Sequence, residues 1–388
     1  MGTSPPPLMQ MIEELIAIPS VSSVNPALDQ SNGPVVERLA EWLEGAGFAV
    51  ELLPVPADAT KVNLVATLGR GEGGLVLAGH TDTVPYDETG WSSDPFRLTE
   101  RSGLLYGLGT SDMKAFLALA IEAARGLRAE ELERPLVILA TADEESGMTG
   151  AKALVDAGRH LGRHAVIGEP TGMKPVHVHK GVMMESIRIR GRSGHSSDPS
   201  LGVSALEAMV RVLNDVIAWR QQLQSRHVDP RFSVPVPTMN LGHIHGGDNP
   251  NRICAGCELQ IDIRPLPGMS LEELRTTLNQ RLVRSLGDLA VEIEVVPLFP
   301  GLEPMETPAA ADIVRASEAL TGSEARAVAF GTEGPFLRQL GMEVVIMGPG
   351  DIAQAHQPDE FLAADRLEPT VEHLRSLVRR FCQESATS

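Results

Sequence analysis

The chain has little cysteine and no long apolar segment, and both absences restrict what it can be. Three cysteines occur among 388 residues, too few for the disulfide framework of a small secreted protein. No run of about 18 apolar residues occurs, so we expect no membrane-spanning helix. The start of the chain has no basic segment followed by an apolar one, so we expect no secretory signal. These features favour a reducing, cytoplasmic location.

Basic charge is also scarce. The 51 acidic residues outnumber the 33 basic ones, which gives a formal net charge of −18. A nucleic-acid-binding protein usually shows the opposite balance or a clear basic stripe. Neither is present, so we expect no nucleic-acid partner. The acidic excess by itself indicates only solubility.

The chain does have a regular alternation of apolar, β-branched runs with amphipathic helical segments. This pattern predicts an α/β fold with a central, mostly parallel sheet flanked by helices. Residues 183–296 differ, because their predicted elements follow the order β-α-β-β-α-β of a ferredoxin-like α+β domain. We therefore predict a catalytic domain in two parts, 1–182 and 297–388, with this domain inserted between them. One helix is predicted over 112–129, with Asp112 as its N-cap.

Several of the apolar runs lead to side chains that bind cations or protons. "LVLAG" leads to His80 and Asp82, "LVILATAD" to Glu144 and Glu145, "AVIG" to Glu169 and "VVIMGPG" to His356, while Asp112 opens a helix. In open α/β sheets the site lies beyond the carboxyl ends of the strands, so we expect these groups to meet there. Five carboxylates at short range could not all stay ionised without a cation. Two imidazoles with several carboxylates suit zinc, cobalt or manganese.

Seven motifs spread along the chain resemble one enzyme family. They are "GHTDTVP", "GLGTSDMK", "ATADEESG", "IGEPT", "GHSSDP", "NRICAGCELQIDIRP" and "GPGDIAQAHQPDE". On these motifs the chain is similar to the dinuclear zinc aminoacylase and carboxypeptidase family. The resemblance implies a metallopeptidase catalytic domain with an inserted lid and dimerisation domain. It also implies two divalent metal ions, with zinc expected first and cobalt as a substitute.

The resemblance assigns the metal ligands residue by residue. His80 and Glu169 would bind one ion, and Glu145 and His356 would bind the other. Asp112 would bridge both ions. Taken singly, each of these residues has a simpler interpretation, since an isolated histidine near a strand end is usually just a hydrogen-bonded polar residue. Their joint occurrence at the ends of buried runs favours the metal site.

Three further residues would serve catalysis in the family pattern. The carboxylate of Asp82, two residues beyond His80 on the same face of the strand, would hold the other ring N–H of that histidine. Glu144, next to a ligand without being one, would act as general base and then as general acid. His195 in "RSGHSSDP" would reach the active site from the inserted domain, across the subunit boundary of a homodimer. Without the resemblance, this histidine is more typical of a turn.

The resemblance implies a small-molecule substrate, an N-acyl amino acid. N-acetyl-L-ornithine is the first expectation and would place the enzyme in arginine biosynthesis; N-succinyl-diaminopimelate and N-acetylcitrulline are alternatives. Arg264 would bind the substrate carboxylate bidentately, with Asn251 and Arg252 beside it, or would make a surface ion pair. Glu333 in "FGTEGPF" would bind the side-chain amine of ornithine or serve the fold, since many relatives have a serine–aspartate or threonine–aspartate pair there.

Other functions are left open by the residues. Cys254 and Cys257 form a C-x-x-C pair, a spacing found in zinc and redox sites. No second pair exists, and their alternating strand pattern favours packing in a core. A non-catalytic metal-binding relative remains an alternative. A dinuclear phosphoesterase is disfavoured, because no glycine-rich phosphate loop leads into a helix near the expected ligands.

Overall fold

The chain forms two compact units in a computed structural model that describes residues 4–384. Unit 1 contains the chain up to His177, Thr307–Arg326 and the chain from Thr332 onward, and unit 2 contains Val178–Glu306 and Ala327–Gly331. Unit 2 therefore extends a few residues beyond 183–296 at both ends and takes in a short later segment. Within the described residues, no helix is both long and apolar enough to cross a membrane.

The helices alternate with strands along the described chain. They are α1 (Leu8–Ile16), α2 (Gly33–Gly45), α3 (Lys114–Ala124), α4 (Thr149–Asp156), α5 (Ala205–Arg226), α6 (Leu271–Leu286), α7 (Asp312–Thr321), α8 (Gly334–Gln339) and α9 (Leu367–Val378).

The strands are mostly short. They are β1 (Ala49–Val55), β2 (Asp58–Leu68), β3 (Leu75–His80), β4 (Thr99–Arg101), β5 (Leu104–Tyr106), β6 (Leu136–Thr141), β7 (His164–Pro170), β8 (Val176–His179), β9 (Met183–Arg190), β10 (Thr238–Gly246), β11 (Gly256–Arg264), β12 (Glu292–Pro297), β13 (Met305–Glu306), β14 (Arg326–Val328), β15 (Glu343–Gly348) and β16 (Phe361–Ala363).

Unit 1 is built on a mixed sheet in the order β1-β2-β6-β3-β7-β15. The four strands β6, β3, β7 and β15 run parallel, and β1 and β2 are added antiparallel. Every residue of β3, β6 and β7 is buried, as expected of strands covered by helices on both faces. The predicted α/β fold with flanking helices is confirmed, and parallel pairing occupies the middle of the sheet.

Two glycines allow helix α3 to lie very close to this sheet. A methyl group on Gly79 would lie 2.8 Å from Cε of Met113, and one on Gly168 would lie 2.0 Å from Cγ of Phe116. Both distances are below ordinary contact. At Gly168 the methyl group would overlap the ring of Phe116, whereas at Gly79 the flexible end of Met113 would have to shift. Each glycine directly precedes a candidate ligand, His80 or Glu169, and the same close approach brings the start of α3 over the ends of β3 and β7.

The predicted helix over 112–129 is shorter than expected at both ends. It begins at Lys114, its N-cap is Met113, and no side chain caps it. The prediction of Asp112 as the N-cap is therefore wrong. The physical reason is that the Asp112 carboxylate is hydrogen-bonded to an imidazole, while its own backbone N–H donates to Glu360.

Unit 2 is a four-stranded antiparallel sheet in the order β10-β11-β9-β12, covered by α5 and α6. The strand and helix order is the predicted ferredoxin-like one. Cys254 and Cys257 are buried in the core of this unit as free thiols, where the Cys254 thiol donates to the carbonyl of Gly256. The third cysteine, Cys382, is a buried free thiol of unit 1, so the structure pairs none of them in a disulfide.

Candidate metal centre

His80 is the buried centre of the predicted site. It is the last residue of β3, and its side chain is 1% exposed. Its Nε2 lies 3.2 Å from Oδ1 of Asp112 and 3.9 Å from Oε1 of Glu169. Asp112 precedes α3 and Glu169 lies near the end of β7. Three separate elements therefore deliver one imidazole and two carboxylates to the same point.

The other two predicted ligands lie on the opposite side of Asp112. Nε2 of His356 lies 3.0 Å from Oε2 of Glu145 and 3.6 Å from Oδ2 of Asp112. One oxygen of Asp112 thus faces His80 and the other faces His356, as a carboxylate that bridges two ions would. The structure brings all five predicted ligands together within unit 1.

Glu144 also belongs to this cluster. One ligand atom each from His80, Glu144 and Glu169 lie within 4.8 Å of one another, and the same holds for His80, Asp112 and Glu145. Glu144 is buried like the residues around it, so its carboxylate lies beside the candidate ligands. This placement is compatible with the predicted role in proton transfer.

Asp82 is placed as expected but makes a different contact. Nδ1 of His80 lies 2.9 Å from the backbone carbonyl oxygen of Asp82 and 3.8 Å from its Oδ1. The carbonyl, rather than the carboxylate, therefore fixes the orientation of the ring. The carboxylate instead accepts the backbone N–H of Glu145 at 3.1 Å. This hydrogen bond fixes the backbone of that candidate ligand.

The carboxylates of the cluster disturb one another strongly. Burial, reinforced by the neighbouring Glu169, raises the pKa of Glu144 well above its usual range. Burial, reinforced by Asp112, does the same to the pKa of Glu169. Burial also acts to raise the pKa of Asp112, but the hydrogen bond with His80 outweighs it and keeps that pKa low. A divalent cation would relieve this crowding of negative charge.

Buried oxygen atoms without partners give independent support for a cation. Among residues 4–384, Oδ1 of Asp82, Oε1 of Glu145 and Oε1 of Glu333 are buried and accept no hydrogen bond. Buried polar atoms are normally satisfied. For Glu145, whose other oxygen contacts His356, a cation is a fitting partner. The donor set of two imidazoles and several carboxylates also suits a divalent transition metal.

Glu333 lies at the cluster in unit 1, at the start of α8. Its side chain is buried, and its Oε2 accepts the hydroxyl of Thr141 at 2.7 Å. Burial raises the pKa of Glu333 to about 7. The structure therefore places it among the catalytic candidates, with one oxygen bound by a residue at the end of β6.

Two acidic residues of the site were not recognised in the sequence. Asp143 accepts hydroxyl groups from Ser22, Ser146 and Thr149 at 2.5–2.7 Å and so anchors the turn that carries Glu144. Glu360 accepts backbone N–H groups around Asp112. Only their positions in the sequence could have indicated them: Asp143 directly precedes the glutamate pair, and Glu360 ends the "AHQPDE" motif.

The predicted catalytic residue His195 and two predicted substrate-binding residues, Asn251 and Arg252, lie together in unit 2. His195 and Arg252 are paired by an isolated antiparallel bridge, and the N–H of Ser196 donates to the carbonyl of Asn251. The ring of His195 is exposed and its Nδ1 accepts the N–H of Ser197 at 3.2 Å. These side chains form one exposed polar group on the two adjoining segments.

Arg264 does not belong to that group. It ends β11, whereas Asn251 and Arg252 precede the start of β11 at Gly256, so the nine-residue strand separates them by about 25 Å. Its guanidinium is bound by Asp262, with Nε 2.9 Å from Oδ1. Within one chain, Asn251 and Arg252 therefore do not lie beside Arg264, because the strand between them is extended. Their roles toward a substrate stay predictions.

Sequence comparison assigns this arrangement to a family. The profile described as Peptidase family M20/M25/M40 matches residues 76–380. The chain belongs to peptidase family M20/M25/M40. The matched region extends into all three segments of unit 1 and covers the whole of unit 2.

Known proteins are similar to this M20 chain over nearly its whole length. An acetylornithine deacetylase of Edwardsiella ictaluri is 48% identical over 383 residues, which is 99% of this chain and 100% of the relative. A metallo-carboxypeptidase of the M20 family from Sulfolobus solfataricus has a TM-score of 0.75 at 18% identity, covering 97% of this chain and 99% of its own. A Bacillus subtilis protein described as a dinuclear metal binding peptidase of the family has a TM-score of 0.67 at 16% identity, covering 96% of each chain. The predicted family and fold are thereby confirmed.

The contact between His356 and Glu145 leads to a prediction for the cation-free protein. The hydrogen bond with Glu145 raises the pKa of His356 to about 9. A histidine NMR titration should show this value, and Glu145→Gln should lower it toward the ordinary value of about 6.5. Because a proton must leave the ring before a cation binds, cation affinity should rise with pH up to this pKa. Glu372→Gln, on the exposed face of α9, is the control. A pKa equally high in both variants would contradict the assignment.

Proposed function

We propose that this M20 chain hydrolyses N-acetyl-L-ornithine to L-ornithine and acetate, a step of arginine biosynthesis, as a metal-dependent amidohydrolase. The observation that carries the chemistry is the placement of Asp112 between His80 and His356, 3.2 Å from one ring and 3.6 Å from the other. The observation that carries the substrate is the full-length similarity, at 48% identity, to an acetylornithine deacetylase.

Two divalent cations fit the residues present. His80, Asp112 and Glu169 would hold one, and Asp112, Glu145 and His356 would hold the other. The mixture of imidazole and carboxylate donors suits zinc, and cobalt would bind the same ligands. The unsatisfied Oε1 of Glu145 and the mutual pKa shifts of the carboxylates support this assignment. When bound, such cations supply Lewis-acid chemistry, activating water as a nucleophile and polarising the amide carbonyl.

Glu144 would move the proton. Its carboxylate lies beside the ligands His80 and Glu169, and burial raises its pKa toward the working range of a general acid and base. It would accept a proton from the attacking water and deliver it to the nitrogen of the departing amine. Asp143, fixed by three hydroxyl groups, would keep the Glu144 carboxylate in place during both transfers.

Unit 2 would supply a dimer interface and part of the substrate site. β10 is an edge strand, and on its outer side no other strand of the described chain pairs with it. Ile244 on this strand, and Leu206 and Val210 on α5, are exposed by 46–53%, and Leu206 reaches the turn at Gly247 beyond the strand. An unpaired edge beside exposed apolar residues favours pairing with a second copy about a twofold axis.

A dimer would also resolve the separation of the substrate-binding candidates. Arg264 lies at one end of β11, and His195, Asn251 and Arg252 lie beyond the other end. One chain cannot direct both sets at one small substrate, whereas two chains can. We propose that a partner copy supplies His195 to stabilise the oxyanion, and that Arg264 binds the substrate carboxylate. Glu333 would face the side-chain amine of ornithine. The buried thiols support a cytoplasmic location.

The proposed reaction is tested by measuring acetate release. Protein stripped with a chelator should not hydrolyse N-acetyl-L-ornithine, and addition of zinc or cobalt should restore turnover. N-succinyl-diaminopimelate and N-acetylcitrulline serve as comparison substrates. A higher kcat/KM for either of them would replace the proposed substrate while keeping the chemistry. Protein that stays inactive on all three after metal is restored would favour a non-catalytic relative.

Replacement of Glu144 separates proton transfer from metal binding. Glu144→Ala should retain the two cations, because five other side chains hold them, and should lower kcat by at least about 100-fold, the contribution usual for a general acid or base. Elemental analysis measures the bound metal, and acetate release measures the rate. The matched change Asp112→Asn should lower both kcat and the amount of bound metal. Normal turnover in Glu144→Ala would place the base elsewhere.

The shared site is tested by mixing two inactive variants. His195→Ala should retain metal and lose about 100-fold or more in kcat, as expected for loss of an oxyanion donor. If His195 acts across the dimer, co-refolding it with Glu144→Ala should restore part of the activity, because one of the two sites in each mixed dimer then has both residues. Absence of any recovery in verified mixed dimers would show that each site is complete within one chain.

A further inference from the structure

Glu360 is a buried carboxylate whose contacts are unusual. Its side chain is 1% exposed, and within residues 4–384 no ion pair reaches it. Its carboxylate accepts instead from backbone amides of one short segment: Gly109 at 3.1 Å, Ser111 at 2.7 Å and Asp112 at 2.9 Å. The backbone N–H of Gly107 also donates to its carbonyl.

The segment that Glu360 binds has no secondary structure of its own. Residues 107–113 run between β5 and α3 without a strand or helix, and Gly107 and Gly109 both have positive φ. Buried N–H groups in such a segment need acceptors from elsewhere. Glu360 provides them, because its two carboxyl oxygens accept the N–H groups of three residues of the segment. Glu360 therefore holds the backbone from which the Asp112 side chain extends.

Glu360 also ends the loop that carries His356. The beginning of this loop is tied to the same segment, because the N–H of Asp351 donates to Oγ of Ser111 at 3.0 Å. Between these two ties, the side chain of His356 is 56% exposed and its φ is 59°. The ring of His356 contacts Glu145 and Asp112, and the two ties to 109–112 hold the ends of the loop that carries it.

We propose that Glu360 is a positioning residue that fixes His356 relative to Asp112 and so builds the second cation site. The carboxyl group joins two segments, one bearing the proposed bridging ligand and the other bearing a proposed ligand of the second ion. It touches neither substrate nor cation. The inference rests on the proposed two-cation site, and its test begins with the wild-type protein.

The test is a titration of metal-free protein with Co²⁺. Binding is monitored by calorimetry and by the visible absorption of bound cobalt. Wild-type protein should bind two ions. Glu360→Gln keeps the shape but presents an NH₂ group to a backbone donor in place of one acceptor oxygen, so affinity for the second ion should fall about 10–100-fold, the usual effect of losing a residue that orients ligands. The cobalt absorption should change, and added Co²⁺ should recover part of kcat.

The matched control is Glu185→Gln. Glu185 is also 1% exposed, and its carboxylate accepts a hydrogen bond from Nε of Arg275 at 2.7 Å, but it lies in unit 2. It should leave both cobalt affinities unchanged, even if the melting temperature falls. If Glu360→Gln does not fold, Glu360→Asp, which keeps the charge but is one methylene shorter, is measured in its place.

The outcomes separate the two proposals. Failure of the wild-type protein to bind a second ion would overturn the two-cation site itself. Two ions in the wild type, with the same affinities and absorption in the Glu360 variant, would overturn the role of Glu360 alone. Equal losses in the Glu360 and Glu185 variants would also overturn it, because that result indicates general destabilisation.

Discussion

The mutual repulsion of buried carboxylates is the constraint on which the rest of this protein depends. Asp82, Asp112, Glu144, Glu145 and Glu169 lie at one end of the parallel strands, in a setting that raises the pKa of most of them. Such a cluster is unfavourable in the folded chain unless positive charge is bound among its members. The folded chain therefore favours the binding of cations at this cluster. The proposed hydrolysis would use the cations bound there.

That cluster requires backbones to approach more closely than side chains normally allow. Gly79 and Gly168 admit α3 to the sheet, and a Cβ at either position would overlap Met113 or Phe116. Each glycine precedes a candidate ligand by one residue, His80 or Glu169. The close packing and the position of the candidate ligand therefore depend on the same short stretch of chain. A change that relieved the packing would also move a ligand, so stability and cation binding are linked in the core of unit 1.

The sequence predicted the features that repeat along the chain. Buried runs that lead to His80, Glu145 or Glu169 share a pattern, which predicted the α/β class and the meeting of the five candidate ligands. The inserted domain was predicted from a different signal, the order of elements in 183–296. It was not enough where a backbone atom acts. The carbonyl of Asp82 orients His80, and the amides of 109–112 bind Glu360. Every residue has these backbone groups, so the residue types in the sequence do not reveal either contact. Likewise, Arg264 and Asn251 are close in a family motif but stand at opposite ends of an extended strand.

The two units differ in how far their candidate functional residues are buried. The candidate cation ligands all belong to unit 1, and all but His356 are shielded, so their electrostatic interactions are strong and already organised. His195, Asn251 and Arg252 are on the surface of unit 2, where water weakens any interaction with a substrate. In the proposed function they would contribute fully only where a second surface excludes that water. The proposed reaction type would then depend on the buried cluster of unit 1, and the proposed substrate selection on these exposed side chains.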